Sequence, residues 1–206
     1  MCCYEDRLLF VTSGCISEYD LSTGKVRDLA EAYYPYAMTL ADDRLFFITQ
    51  GETDNVYYIN YIDLDGGGES TMFTSDEPVY FLTALDGYLY LCGGDWIIQY
   101  DALTGEGIDY AEYDFHTTYL NAYDGYLYCN VQELNGVSRI PVNSLSDCEF
   151  LAADASSVPY ALSLCAVGDT LFLNYIAMDK TGQFCHYALA VTGDEVNSGM
   201  LDELLS

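Results

Sequence analysis

The chain is poor in positive charge. Its 206 residues include 6 Lys and Arg against 33 Asp and Glu, a formal net charge of −27. Nucleic acid is gripped mainly through its phosphates, which requires a basic footprint, so nucleic acid is excluded as a partner. Long apolar runs are also missing. None approaches the roughly 18–20 residues of a membrane helix, and no membrane span is expected. Tryptophan occurs once, as Trp96, and proline four times. The eight cysteines include no C-x-x-C pair, and their scatter fits neither a disulfide scaffold nor a metal site. Most fall in expected strands, where a buried thiol acts as a small hydrophobe. That favours reduced thiols and a reducing compartment or an anaerobic source. No nucleophile-elbow serine and no phosphate-cradling glycine loop is found. The segment Met1–Asp6 has neither a basic region nor an apolar stretch, unlike a signal peptide. The expectation is a cytoplasmic protein or a trimmed part of an exported one.

What is abundant points to strands. There are 21 Tyr and 9 Phe, and hydrophobic residues make up 51% of the chain, enough for a sizeable core of β-forming side chains. One phrase recurs five times, starting at Glu5, Asp42, Asp86, Asp124 and Gly168. Successive starts are separated by 37, 44, 38 and 44 residues, the period of a four-stranded propeller blade. The fourth position of the phrase is Leu8, Leu45, Leu89, Leu127 and Leu171. The fifth is Leu9, Phe46, Tyr90, Tyr128 and Phe172, and the sixth is Phe10, Phe47, Leu91, Cys129 and Leu173. Alternate strand residues face opposite sides, so both sides of this strand are apolar. A sheet with one wet face would alternate apolar and polar residues; sheets stacked face to face bury both sides.

A second phrase, D-x-x-T-G, follows in Asp20–Gly24 and Asp101–Gly105, with a variant at Asp63–Gly67. Its tail survives at Thr192-Gly193, and Asn143–Asp147 is a glycine-free fourth copy. Each lies between an apolar strand and a further short strand, as a hairpin turn does. The repeat therefore reads as strands A to D, with A and B joined by the Asp-Gly turn and C and D by the Thr-Gly turn. The expected fold is all-β, a β-propeller of five four-stranded antiparallel blades. It forms a single domain over 1–206, with repeats 1–34, 35–78, 79–116, 117–158 and 159–206. Strand A of the first repeat is short. The stretch 196–206 either completes a closed ring or forms a short helix; a fragment of a longer propeller is the alternative.

Asp20–Val26, D-x-x-T-G-K-V, resembles the turn phrase of quinoprotein-like bacterial propellers. Ile59–Gly67 is similar to the strand-plus-LDG phrase of YWTD-type, lipoprotein-receptor-like bacterial propellers of unknown function. The resemblance implies the fold over nearly the whole chain and carries no catalytic residue onto it, since such scaffolds host many functions. The tryptophan pattern that holds the cofactor of true quinoproteins is missing.

In such a fold the A–B and C–D turns share one end, and the B–C loops and D–A connections the other. The first end is regular. The second varies: Asp42 to Asp63 spans 21 residues and Asp86 to Asp101 spans 15, a difference placed in the B–C segment. Irregular loops on a regular scaffold are where binding usually resides. The candidate binding residues there are Tyr33, Tyr34, Tyr36, Asp76, Asp95, Trp96, Tyr113, Asp114 and His116, accompanied by Glu52, Asp54, Glu77, Glu133, Asp154 and Asp179. Aromatic rings beside carboxylates suit a sugar, an amine or a basic peptide, so a protein or glycan partner is expected; the competing reading is that the tyrosines cap the strand ends as packing residues. No cofactor is expected, though the acidity leaves Ca²⁺ as a candidate. Asp63–Glu69 looks superficially like a calcium loop but lacks the further ligands and helices of an EF-hand and reads as a turn. Three positions before each phrase stand Cys2, Thr39, Thr83, Asn121 and Cys165. This uncharged column, expected on the innermost strand, argues against a glycosidase, which needs paired carboxylates. The enzyme alternative would draw on Asp76, Asp95 and Asp114.

Overall fold

The computed structural model describes residues 1–12, 14–52, 55–66, 68–131, 136–152, 160–167, 170–178 and 183–192. Every regular element among them is a strand. The first sheet is β1 (Cys2–Tyr4), β2 (Arg7–Val11), β3 (Cys15–Asp20) and β4 (Lys25–Glu31). The second is β5 (Tyr36–Ala41), β6 (Arg44–Gln50), β7 (Tyr57–Asp63) and β8 (Glu69–Ser75). The third is β9 (Phe81–Leu85), β10 (Tyr88–Cys92), β11 (Trp96–Asp101) and β12 (Gly107–Glu112). The fourth is β13 (Thr117–Tyr123), β14 (Tyr126–Val131), β15 (Gly136–Pro141) and β16 (Glu149–Ala152). The fifth is β17 (Tyr160–Val167), β18 (Thr170–Met178) and β19 (Phe184–Thr192). Four-stranded sheets thus number four among the described residues, not five, and the fifth sheet has three strands there. Residues 193–206, expected to add a strand or a helix, lie outside the described residues.

The chain divides into two compact units, residues 1–93 with 99–108, and 94–98 with 109–206. The division runs through the third sheet.

The recurring phrase forms the second strand of every sheet, and beside the A–B turn its register with the first strand is the same each time; farther from the turn that register shifts in the second, fourth and fifth sheets. Cys2 pairs with Leu9, Thr39 with Phe46, Thr83 with Tyr90, Asn121 with Tyr128 and Cys165 with Phe172. The uncharged column therefore lies beside the fifth position of the phrase each time. Both faces of this strand are sealed in the middle copies: Leu45, Phe46 and Phe47 are all 0% exposed, and Leu89, Tyr90, Leu91, Leu127, Tyr128 and Cys129 at most 2%. The first copy is less covered, with Leu9 buried but Leu8 and Phe10 half-buried.

Short turns lock the regular end. Asp86-Gly87 and Asp124-Gly125 both adopt positive φ (51° and 80°, 48° and 77°), the type I′ geometry whose twist matches a right-twisted hairpin. Glu5 and Asp42 take the same positive φ at the same position. The carbonyl of the next residue then accepts a hydrogen bond from the residue that follows strand C. The bonds run from Leu21 to Asp6, Leu64 to Asp43, Ala102 to Gly87 and Val142 to Gly125, all at 2.8–3.1 Å. In the Thr-Gly turns the leading aspartate caps the backbone. Asp20 Oδ1 accepts from the amides of Ser22 and Thr23 and from Ser22 Oγ, and Asp101 Oδ1 from the amides of Leu103 and Thr104 and from Thr104 Oγ1. Asp63 is used differently: its carboxylate receives Arg44 Nε at 2.8 Å, and the loop that looked like a calcium site is the β7–β8 turn.

A polar residue is buried at one repeated place on strand C. Ser17, Asn60 and Ser138 are each at most 4% exposed and sit where the C–D register slips by a bulge. Each finds a partner on a neighbouring strand: Ser17 on Asp28, Asn60 on Thr49 and Thr71, and Ser138 on Cys129. Buried polar atoms need such partners.

Leu45→Ala should cost about 2–5 kcal/mol in denaturant unfolding, whereas Leu8→Ala, at the same repeat position but half-exposed, should cost on the order of half as much; equal losses would contradict the burial difference. The Asp20 carboxyl is lowered to about 2, by Ser22 Oγ first and the Thr23 amide next. A depressed folded-state value stabilises above the unfolded value near 4 and is lost as pH falls towards 2. The stability gap between the protein and its Asp20→Asn variant should therefore close between about pH 4 and pH 2.

Candidate functional site

At the irregular end of the first unit, Ala32 N of a D–A connection donates to Gly14 O of a B–C loop, Tyr80 N of the next D–A connection donates to Cys92 O at the end of β10, and Gly51 N to Val56 O closes the β6–β7 loop on itself. In the second, Tyr113 N donates to Asp95 O and Thr117 N to Gly94 O. The 21-residue spacing in the second repeat is not all loop. β6 and β7 have seven residues each against five and six in β10 and β11, so half of the six extra residues lengthen strands.

Within the first unit, Tyr33 and Tyr34 project from the β4–β5 connection, 55% and 63% exposed. Their rings meet edge to face at 4.6 Å and 84°, the geometry favoured by aromatic quadrupoles. Tyr34 holds a positive φ of 44° between buried Ala32 and buried Pro35, which anchor the connection on both sides of the pair. Tyr36 behaves as packing: its hydroxyl donates to Val79 O at 2.8 Å. Burial pushes its pKa up, with Tyr57 and Tyr80 close enough to add to the shift. Tyr80, 47% exposed, lies close to Tyr36 and was not among the candidates. The sequence places it as the first residue of a strand running to Leu85, yet β9 begins one residue later. Asp76 and Glu77 are exposed on that connection, where the Glu77 amide donates to Ser75 Oγ. Glu52 is exposed and Asp54 lies outside the described residues.

Within the second unit the candidates separate by burial. Trp96 is only 6% exposed; it is a core residue of β11 and presents almost no ring to a ligand, correcting its expected place on the surface. Tyr113 is tied down as well, its hydroxyl donating to Leu145 O and its ring stacked on Phe115 at 4.9 Å. Burial is the main cause of its raised pKa, followed by Cys129, Cys148 and Asp109. Asp109 also accepts from the Leu145 amide, so both backbone groups of Leu145 are clamped from the preceding repeat. This secures the glycine-free turn. Asp95, Asp114 and His116 are exposed. Glu133, Asp154 and Asp179 lie outside the described residues.

Among the described residues no three His, Cys, Asp or Glu side chains gather to hold a metal ion. A cleft of about 250 Å³ in the first unit is lined by Arg27, Asp28, Leu29, Ile62, Asp63, Leu64 and Gly66. Its charged groups are engaged internally: Arg27 with Glu18, Asp63 with Arg44, and Asp28 with Ser17.

No family model matches the chain, and no curated protein matches it in sequence. Solved structures do match. A chain of the nidogen/laminin complex is 13% identical with a TM-score of 0.62, over 92% of this chain and 94% of that one. The propeller domain of the trilobed protease from Pyrococcus furiosus is 14% identical with a TM-score of 0.62, over 87% and 60%. The fold is that of a β-propeller. Hydrazine synthase from Kuenenia stuttgartiensis is 12% identical with a TM-score of 0.63, over 91% and 60%. At these identities the likeness is one of fold. The chain spans only 55–60% of several of the chains it matches.

The burial difference is measurable. Trp96→Ala should destabilise by about 3–5 kcal/mol, and Tyr34→Ala should stay within about 0.5 kcal/mol, both read by denaturant unfolding. A Trp96→Ala variant as stable as the parent would show that the ring is not in the core.

Proposed function

We propose that this chain is a non-catalytic binding or scaffold propeller that engages a protein or glycan partner through the loop end of its sheets, the five sheets acting as five blades of one ring. The observation that carries the reading is the exposed edge-to-face pair Tyr33 and Tyr34. It belongs to a unit with exposed carboxylates at its loop end, whose other candidate aromatic, Tyr36, is held by a hydrogen bond; in the second unit Trp96 and Tyr113 are likewise held by packing and hydrogen bonds. Large amphipathic rings held on a rigid connection give contact area at low entropic cost. At the regular end, Asp20 and Asp101 are engaged by their own turn backbone and Asp63 by Arg44. Asp76, Asp95 and Asp114 are all exposed, whereas a glycosidase general acid is kept protonated near neutral pH by a shielded pocket.

The test is capture on immobilised full-length protein, from a lysate of the source organism and on a glycan array. Tyr33→Ala/Tyr34→Ala should reduce capture at least about tenfold without changing the free energy of unfolding by more than about 0.5 kcal/mol. Capture that survives both substitutions at full strength removes the loop end of the first unit from the function.

A further inference from the structure

The basic residues of the first unit are Arg7, Lys25, Arg27 and Arg44, and all four lie towards the turn end of their sheets. Arg7 and Arg44 open the second strand just after its Asp turn, and Lys25 opens β4 just after the Thr-Gly turn, with Arg27 two residues on. Three of them form ion pairs: Arg7 and Arg27 with Glu18, and Arg44 with Asp63. The connections at the other end, 12–14, 32–35, 51–56 and 76–80, contain no Lys or Arg. Glu31, Glu52, Asp76 and Glu77 are exposed there. The run of β6 from Arg44 to Gln50 separates the two ends by about 20 Å, more than two screening lengths at physiological salt. The cations of the turn end therefore do little to neutralise the loop end. Its acidic field surrounds three exposed tyrosines, Tyr33, Tyr34 and Tyr80.

The same unit shows what chemistry suits such a surface. Arg7 lies over the Tyr4 ring at 4.7 Å and Arg44 over the Tyr61 ring at 4.5 Å, each with a carboxylate as its second partner. A guanidinium between a tyrosine face and a carboxylate is satisfied on both its flat and its edge sides. We propose that the loop end of the first unit, around Tyr33, Tyr34 and Tyr80, docks an arginine- or lysine-bearing protein segment, reproducing with a partner the Arg–Tyr–carboxylate contact that the turn end makes internally. This deepens the binding reading above and rests on it. The complementarity decides against a neutral glycan, which would leave the carboxylates without counter-charge.

The probe is an end-blocked Gly-Arg-Gly-Arg-Gly peptide, titrated calorimetrically into the full chain at about 0.15 M salt. Its citrulline counterpart, neutral and of the same shape, and a set of neutral oligosaccharides are run beside it. The expected result is saturable one-to-one binding of the arginine peptide. Tyr33→Ala/Tyr34→Ala should weaken it about tenfold, two rings at about two- to fivefold each, and Asp76→Asn/Glu77→Gln should weaken it as well. Asp42→Asn/Asp65→Asn, which removes two exposed charges at the turn end, should leave it unchanged. Equal weakening by the two charge variants with no effect of the tyrosines would mean diffuse attraction to an acidic protein and overturn the proposal. Binding of an oligosaccharide through Tyr33 and Tyr34, with none of the arginine peptide, would also overturn it while leaving the broader binding reading intact.

Discussion

A strand buried on both faces governs the rest of this molecule. In ordinary half-wet sheets one face of each strand answers to water, which tolerates some slippage of composition. Here Leu45, Phe46 and Phe47 in succession have no contact with water, so consecutive residues must all be apolar and neither face has a polar alternative. A one-residue slip would exchange the two faces and bring every side chain against the wrong neighbour. The register beside the A–B turn, the same from Cys2–Leu9 through Cys165–Phe172, meets that constraint at the phrase itself. The bond from the residue after strand C to the A–B turn carbonyl, made four times, clamps the third strand to the same frame.

The strand phrase was legible in the sequence because three consecutive apolar positions recur at a fixed place in each repeat; the second, third and fourth copies are covered on both sides, while the first is half-buried at Leu8 and Phe10 and Phe172 of the fifth is 38% exposed. The turns were legible for a related reason. Only Asp at the head of D-x-x-T-G both ends strand C and accepts the amides two and three residues on, as Asp20 and Asp101 do. Asn143–Asp147 looked degenerate because its support is not local. Leu145 is held by Asp109 and Tyr113 from the preceding repeat, and no short local pattern records bonds that reach back so far along the chain.

The site was less legible, since an aromatic residue carries no mark of the side it will face. Tyr34, Tyr36 and Trp96 look alike as candidates beside acidic neighbours. Burial separates them: Trp96 opens a strand whose interior it joins, and Tyr36 opens β5 and reaches across to Val79 O. Tyr33 and Tyr34 fall between the buried Ala32 and Pro35, too short a connection to fold back over its own rings. Tyr80 was lost for the opposite reason, because an apolar run on either side of it concealed a boundary.

Charge then gives the two ends of the first unit different roles. The scarcity of cations gave the expectation of no nucleic-acid partner; their placement says more than their number. A tight turn followed by Arg, as at Arg7 and Arg44, puts the guanidinium beside the aspartate or glutamate of the neighbouring strand and over a tyrosine ring. Arg44 also reaches the carbonyls of Ala102 and Leu103 in the next turn, so its cation links two repeats. Positive charge spent on holding turns together is withdrawn from the loops, and the loops are left acidic as a consequence of how the repeat is stapled. The end that the scaffold does not need for its own cohesion is therefore the end whose rings and carboxylates remain available to something else.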